Sequence, residues 1–127
     1  MNQDKITKEQ VVKKLISNFK AEVGYTEKKG NNTKYAAEYF PSLQNQAWCD
    51  TFVDSMYVKT YGKDTAEKML GGFSAYTPTS AQFYKNMGRW NEPKGGYIPQ
   101  VGDQIFFQVK GGQNKINHTG IDRKAHV

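Results

Sequence analysis

Apolar residues recur at helical spacing near the start of the chain. The stripe consists of Val12, Leu15, Ile16, Phe19 and Val23. Thr7-Lys8-Glu9-Gln10 precedes it and has the form of a capping box, with Thr7 as the N-cap. Gly24 follows the stripe as a candidate C-cap. This pattern predicts a first helix between Thr7 and Gly24 whose apolar stripe faces the core.

Four further segments have helical patterning, and each ends at a glycine or just before a proline. They are residues 35–40, 48–61, 65–70 and 79–87. Pro78 stands directly before the last of them. The second segment is the longest, and its predicted buried side consists of Phe52, Val53, Met56 and Tyr57.

The pattern changes after Arg89, where turn residues such as Gly95, Gly96 and Pro99 collect. Residues 104–109 and 117–121 are strand-like, and the turn residues 111–114 separate them. Helices first and strands last predict an α+β fold, with N-terminal helices packed on a short antiparallel sheet. At 127 residues, the chain has the length of a single domain, residues 1–127.

Charge and composition narrow the classes of protein. The formal net charge is +6, and residues 1–40 carry eight lysines against five acidic residues. Such a balance favours an anionic partner: nucleic acid, a membrane surface or a cell-wall polymer. No apolar run approaches the about 20 residues of a membrane span. No apolar segment follows the first residues, so no signal peptide is visible.

Cys49 is the only cysteine, which excludes an intramolecular disulfide and cysteine-rich zinc sites. It stands between a polar loop and an amphipathic segment, so it is expected in the first turn of a helix. The unpaired N–H groups and the helix dipole there favour a thiolate and can hold an oxyanion. Two interpretations stay open at this point: a nucleophile, or a small buried apolar residue.

His118 lies in the last predicted strand, where alternation points it away from the face of Asn117 and Thr119. A single histidine is more often a satisfied polar residue than a catalyst. A cysteine and a histidine far apart in sequence can nevertheless meet in space as nucleophile and base. The imidazole would then take the thiol proton and later give it to a leaving amine.

Several segments, taken in order, resemble the CHAP family of cysteine, histidine-dependent amidohydrolases/peptidases. They are Ala21-Glu22-Val23-Gly24-Tyr25, Asn32-Thr33-Lys34-Tyr35, Trp48-Cys49-Asp50-Thr51-Phe52-Val53, Pro99-Gln100-Val101-Gly102-Asp103-Gln104-Ile105-Phe106-Phe107 and His118-Thr119-Gly120-Ile121. The resemblance spans roughly residues 10–121. It implies a papain-like fold, with Cys49 as nucleophile and His118 as base.

The resemblance also implies a substrate and a place of action. The family cleaves peptidoglycan, at N-acetylmuramoyl-L-alanine amide bonds or within peptide stems and cross-bridges. Its chemistry needs no metal, although some members bind structural calcium, so we expect no cofactor. The chain would act at the cell wall after secretion or release. A lysin-like protein of phage or mobile-element origin, released by a holin, would need no leader.

The chain departs from the family after the histidine, where a later strand brings a polar residue that orients the imidazole. Only nine residues follow His118, and they lack strand alternation, so we expect the domain to be incomplete at its C-terminus. On an extended strand Asp122 would lie roughly 13 Å from His118, too far for a hydrogen bond. Asp103 looks like a turn residue, and His126 would reach the site only if the chain turned back. A second copy could also supply the orienting group, because an open sheet edge favours pairing or strand exchange.

Four residues near the expected site carry weaker expectations. Tyr35 lies in the region that flanks the cleft in relatives, as a contact to substrate or oxyanion. Gln46 could donate to an oxyanion, and Trp48 is either a wall of the site or part of the core. Asp50 stands where relatives have a small residue. It suits a helix start, but a carboxylate close to the sulfur would oppose the thiolate.

Two other functions compete with a peptidoglycan hydrolase. One is an inactive or truncated CHAP-like derivative that binds the cell wall or a partner protein. The other is a small basic module that binds nucleic acid. The chain has no basic stripe interleaved with aromatic residues, so the nucleic-acid function ranks last.

Overall fold

The structure, a computed structural model, describes residues 8–108 and 116–122 and has an α+β architecture over them. Its helices are α1 (Lys8–Ala21), α2 (Lys34–Tyr39), α3 (Cys49–Tyr61), α4 (Lys63–Leu70) and α5 (Thr77–Asn86). The strands β1 (Gln104–Phe107) and β2 (His118–Ile121) form an antiparallel pair. Short 3₁₀ turns lie at Lys29–Asn31, Pro41–Leu43 and Pro93–Gly95.

The predicted order of elements is confirmed, and the bounds differ mainly where helices begin. Helix α5 begins at Thr77, so Pro78 lies inside its first turn rather than before it. A first-turn N–H has no partner within the helix, so proline is tolerated there. Helix α4 begins directly after Gly62, which also ends α3. Thr7, the turn at 111–114, Val109 and His126 lie outside the described residues.

The prediction that Val23 faces the core is wrong. Helix α1 ends at Ala21, and the N–H groups of Glu22 and Val23 bond to carbonyls only three residues back, at Phe19 and Lys20. This tightening changes the rotation per residue and moves Val23 off the apolar stripe. Its side chain is 79% exposed, and Gly24 then turns the chain away with a φ of +96°.

Helix α3 lies at the centre of the fold, in contact with α1, α2, α4 and β2. Val53 and Met56 are buried as predicted. The acidic side chains of Asp50 and Asp54 are buried too, on faces that the pattern did not assign to the core. The main cluster of buried residues consists of Leu15, Tyr35, Val53, Met56, Tyr57, Ala66 and Leu70.

The two strands pair in a register that places His118 opposite Phe107 and Ile121 opposite Gln104. Thr119 is buried, and its hydroxyl donates to the carbonyl oxygen of Ile105 at 2.8 Å. Because neighbouring residues on a strand face opposite ways, His118 is exposed. Strand β2 packs against α3, and the exposed His118 is its first residue.

None of the described helices combines the length and the apolar character that a membrane crossing requires.

Candidate active site

Cys49 is the first residue of α3 and is half-buried, with Trp48 at the N-cap position. The first bond of the helix runs from the N–H of Phe52 to the carbonyl of Trp48, so the N–H groups before Phe52 have no partner within the helix. Sγ of Cys49 lies 3.8 Å from Oγ1 of Thr77 at the start of α5. The predicted position in a first helical turn is confirmed.

The side chains of Cys49 and His118 line the same cavity, whose volume is about 840 Å³. Helix α3 supplies the cysteine at its N-terminus, and β2 supplies the histidine at its first residue. The ring of His118 lies against that of Phe107, with 5.8 Å between their centroids. The two residues that the sequence singled out from distant segments thus line one cavity.

Aromatic side chains dominate one part of this cavity. The rings are those of Phe19, Tyr25, Tyr35, Trp48 and Phe52. Tyr35 and Trp48 stack with 5.9 Å between their centroids, and Tyr25 meets Tyr35 edge-on at 5.0 Å. These contacts fix the ring of the residue directly before the cysteine, so the wall beside the sulfur is ordered by packing.

Helix α2 positions Tyr35 in this wall. Thr33 is the N-cap of α2, and its hydroxyl accepts the N–H of Ala36 at 3.2 Å. The side-chain amide of Gln44 in turn bonds to both backbone polar groups of Thr33, at 3.0 and 3.1 Å. The start of α2 is therefore held from both sides.

A carboxylate also lines the cavity. Oε1 of Glu22 accepts the hydroxyl of Tyr35 at 2.9 Å and pairs with Nζ of Lys34 at 2.6 Å. The hydrogen bonds from Lys34 and Tyr35 hold the pKa of Glu22 below its usual value. Burial and the bond to Glu22 raise the pKa of Tyr35 well above its usual value. Glu22 is consequently charged and Tyr35 neutral at neutral pH.

Three of the four residues with weaker expectations have different surroundings. Tyr35 lines the cavity, but it is buried and its hydroxyl proton is directed at Glu22. Trp48 lines the cavity and also packs on the core cluster, so it is both a wall of the cavity and part of the core. Gln46 is exposed and does not belong to the described lining. A role of Tyr35, Trp48 or Gln46 toward an oxyanion stays a prediction.

Asp50 is completely buried, and Oδ2 of its carboxyl accepts the hydroxyl of Ser80 on α5. Burial raises the pKa of this carboxyl to about 6, against the opposing hydrogen bond from Ser80. Asp54, one turn further, accepts the N–H of Ser74 at 3.0 Å, and its pKa is raised by burial and by the charge of Asp50. At acidic pH the carboxyl of Asp50 is protonated and neutral. It then carries no negative charge that would oppose a thiolate at the start of α3.

In the described part of the chain, no residue forms a hydrogen bond with the imidazole of His118. Oδ2 of Asp103 accepts the N–H of Gln100 and the hydroxyl of Tyr97, which closes a turn. Asp122 is buried, and its backbone bonds to Gly102 and Asp103. The turn function expected of Asp103 is confirmed, and the group that orients His118 is not found among residues 8–108 and 116–122.

Sequence reasoning assigned no role to Glu22, Tyr25 or Thr77. Glu22 and Tyr25 flank the glycine turn that ends α1, a position where polar side chains can fold back toward the next helix. Thr77 reaches the sulfur only through the placement of α5, which no local pattern shows. Among the described residues, no cluster of three or more histidine, cysteine or acidic side chains could hold a metal ion.

Comparison of the chain with models of known protein families, with curated proteins and with solved structures finds no match.

Proposed function

We propose that this protein is a papain-like peptidoglycan hydrolase of the CHAP type, which cleaves an amide bond through Cys49 and His118. The observation that carries the proposal is the shared cavity, lined by a cysteine at a helix N-terminus and a histidine at a strand end. The ordered sequence segments around both residues add the family resemblance. The basic net charge of +6 suits the anionic wall.

The reaction proceeds in two balanced steps. His118 takes the thiol proton, Sγ of Cys49 attacks the amide carbonyl, and the oxyanion is held by N–H groups at the start of α3. The C–N bond then breaks, the imidazole gives its proton to the leaving amine, and a thioester remains on Cys49. Water, deprotonated by His118, hydrolyses the thioester and restores the thiol and the free carboxylic acid.

The bond cleaved is an N-acetylmuramoyl-L-alanine amide or a peptide bond of the stem or cross-bridge. The place of action is the cell wall, reached by secretion or by release of a phage or mobile-element lysin. A second copy of the chain, paired at the open sheet edge, is the proposed source of a group that orients His118. Loss of such a group lowers activity but need not abolish it, because the nucleophile and the base remain.

The test is digestion of purified peptidoglycan, with products identified by mass spectrometry. Wild-type protein, Cys49→Ala and His118→Ala are compared, with Lys68→Ala as an exposed control on α4. We expect soluble fragments from the wild type and the control only, with new termini that identify the bond. Circular dichroism verifies that each variant is folded.

No fragments from folded wild-type protein would contradict the proposal. Co-sedimentation of the intact protein with insoluble peptidoglycan would then favour the alternative, a CHAP-like derivative that binds the wall without cleaving it. Release that persists in Cys49→Ala would equally contradict the assigned nucleophile.

A further inference from the structure

The carboxylate in the cavity has hydrogen-bonding capacity that the protein leaves unused. Both contacts of Glu22, with the hydroxyl of Tyr35 and with Nζ of Lys34, are made by Oε1. Within the described residues, no hydrogen bond from a residue other than Lys34 reaches Oε2. The side chain of Glu22 is only 11% exposed and lines the cavity that holds Cys49 and His118. A charged oxygen is therefore available to a group that enters this cavity.

The rings around Glu22 form a surface that suits a cation. Tyr25, Tyr35 and Trp48 all line the cavity, and their centroids lie 5.0 to 6.1 Å apart. The faces of aromatic rings attract ammonium groups through their quadrupole, more strongly where water is excluded. A carboxylate beside aromatic rings thus interacts more strongly with an alkylammonium than with a neutral amide.

Lys34 shows that this chemistry operates in the protein itself. Its ammonium lies 4.8 Å from the ring centroid of Tyr25, 5.5 Å from that of Tyr35 and 2.6 Å from Oε1 of Glu22. The side chain of Lys34 is 53% exposed and does not belong to the described lining of the cavity. This lysine therefore contacts the cluster from a partly exposed position.

We propose that Glu22, with the rings of Tyr25, Tyr35 and Trp48, forms a subsite for an ammonium group of the substrate. Trp48 directly precedes Cys49, so the subsite adjoins the nucleophile. The inference rests on the proposed function and narrows it: the preferred substrate is a wall peptide with a free amino group close to the amide that is cleaved.

The test compares two forms of one substrate, soluble peptidoglycan fragments with free amines and the same fragments after N-acetylation. We expect the wild type to prefer the free amine about tenfold in kcat/KM, the size of one charged hydrogen bond. Glu22→Gln keeps an acceptor for the hydroxyl of Tyr35 but loses the charge. This variant should lose the preference through a higher KM for the free amine, with kcat little changed.

Glu27→Gln is the matched control, because Glu27 is an exposed acid that does not line the cavity. It should keep the tenfold preference. A preference that is equal in the wild type and Glu22→Gln would overturn the subsite, and so would a wild type that does not distinguish the two forms.

A binding measurement separates this inference from the proposed function. Calorimetry with Cys49→Ala, which cannot cleave, should show about tenfold tighter binding of the amine form than of the acetylated form. The double variant with Glu22→Gln should bind both forms equally. If the wild type cleaves neither form, the hydrolase is refuted, while the binding comparison still decides the subsite. Equal binding of the amine form and the acetylated form by Cys49→Ala would overturn the proposed ammonium subsite.

Discussion

Replacement of Asp50 by Asn is expected to remove a pH-dependent loss of stability. The carboxyl of Asp50 is completely buried, Ser80 donates to Oδ2, and Oδ1 has no hydrogen-bond partner. Burial raises the pKa of this group from 3.8 to about 6 in the folded protein. The folded state therefore holds the proton more tightly than the unfolded chain does.

The sign and size of the effect follow from this pKa difference. Because the folded pKa is raised, the stabilisation is complete below pH 3.8 and is lost as the pH rises through about 6. At 1.36 kcal/mol for each pH unit, the loss reaches about 3 kcal/mol in the free energy of unfolding. Asp54 contributes in the same direction, because burial and the charge of Asp50 raise its pKa as well.

Urea unfolding, followed by tryptophan fluorescence between about pH 4 and about pH 8, measures this difference. Asp50→Asn still accepts the Ser80 hydroxyl but has no proton to lose. Its stability should match the wild type at acidic pH and exceed it by up to about 3 kcal/mol at about pH 8. Asp64→Asn, the same change at an exposed site on α4, should follow the wild-type curve. Parallel curves for Asp50→Asn and the wild type would refute the reasoning.

Two paired substitutions test the packing. In Gly102→Ala the new Cβ would lie 2.8 Å from Cγ1 of Val12 at a φ of +95°, so we expect a loss of more than about 1 kcal/mol in urea unfolding. Gly95→Ala meets open space and should change stability by less than about 0.5 kcal/mol; a comparable loss in both variants would contradict this account. Leu15→Ala empties a core position and should cost about 2–5 kcal/mol, whereas Val23→Ala, at the exposed site, should be nearly neutral. Equal thermal midpoints for Leu15→Ala and Val23→Ala would contradict the different burial of these two side chains.

The local sequence pattern is sufficient to predict the helix that carries Cys49 and the strand that carries His118. The change from a polar loop to an amphipathic segment places Cys49 at a helix start, because apolar periodicity is a local property of the sequence. Alternation likewise places His118 on the face opposite Thr119. The shared cavity was an expectation from the family resemblance, since no local pattern specifies how β2 packs on α3.

Other features depend on contacts that the local pattern does not encode. The predicted buried side of α3 does not include Asp50 and Asp54, yet both are buried, where α5 and the segment before it supply Ser80 and Ser74 as donors. The conformation at the end of α1 is likewise not encoded in the periodic pattern. A tightened last turn moves Val23 into solvent, and the adjacent Glu22 enters the cavity through its contact with Tyr35 on α2.

The most direct test of the central claim is whether His118 acts on the thiol of Cys49. The rate of alkylation of Cys49 by iodoacetamide at about pH 7, followed by intact mass, reports the fraction of reactive thiolate. We expect His118→Ala to slow alkylation at least about tenfold, while Asn117→Ala, a neighbour in the same cavity lining, keeps most of the rate. Equal rates in the wild type and His118→Ala would show that the two side chains do not act as a pair.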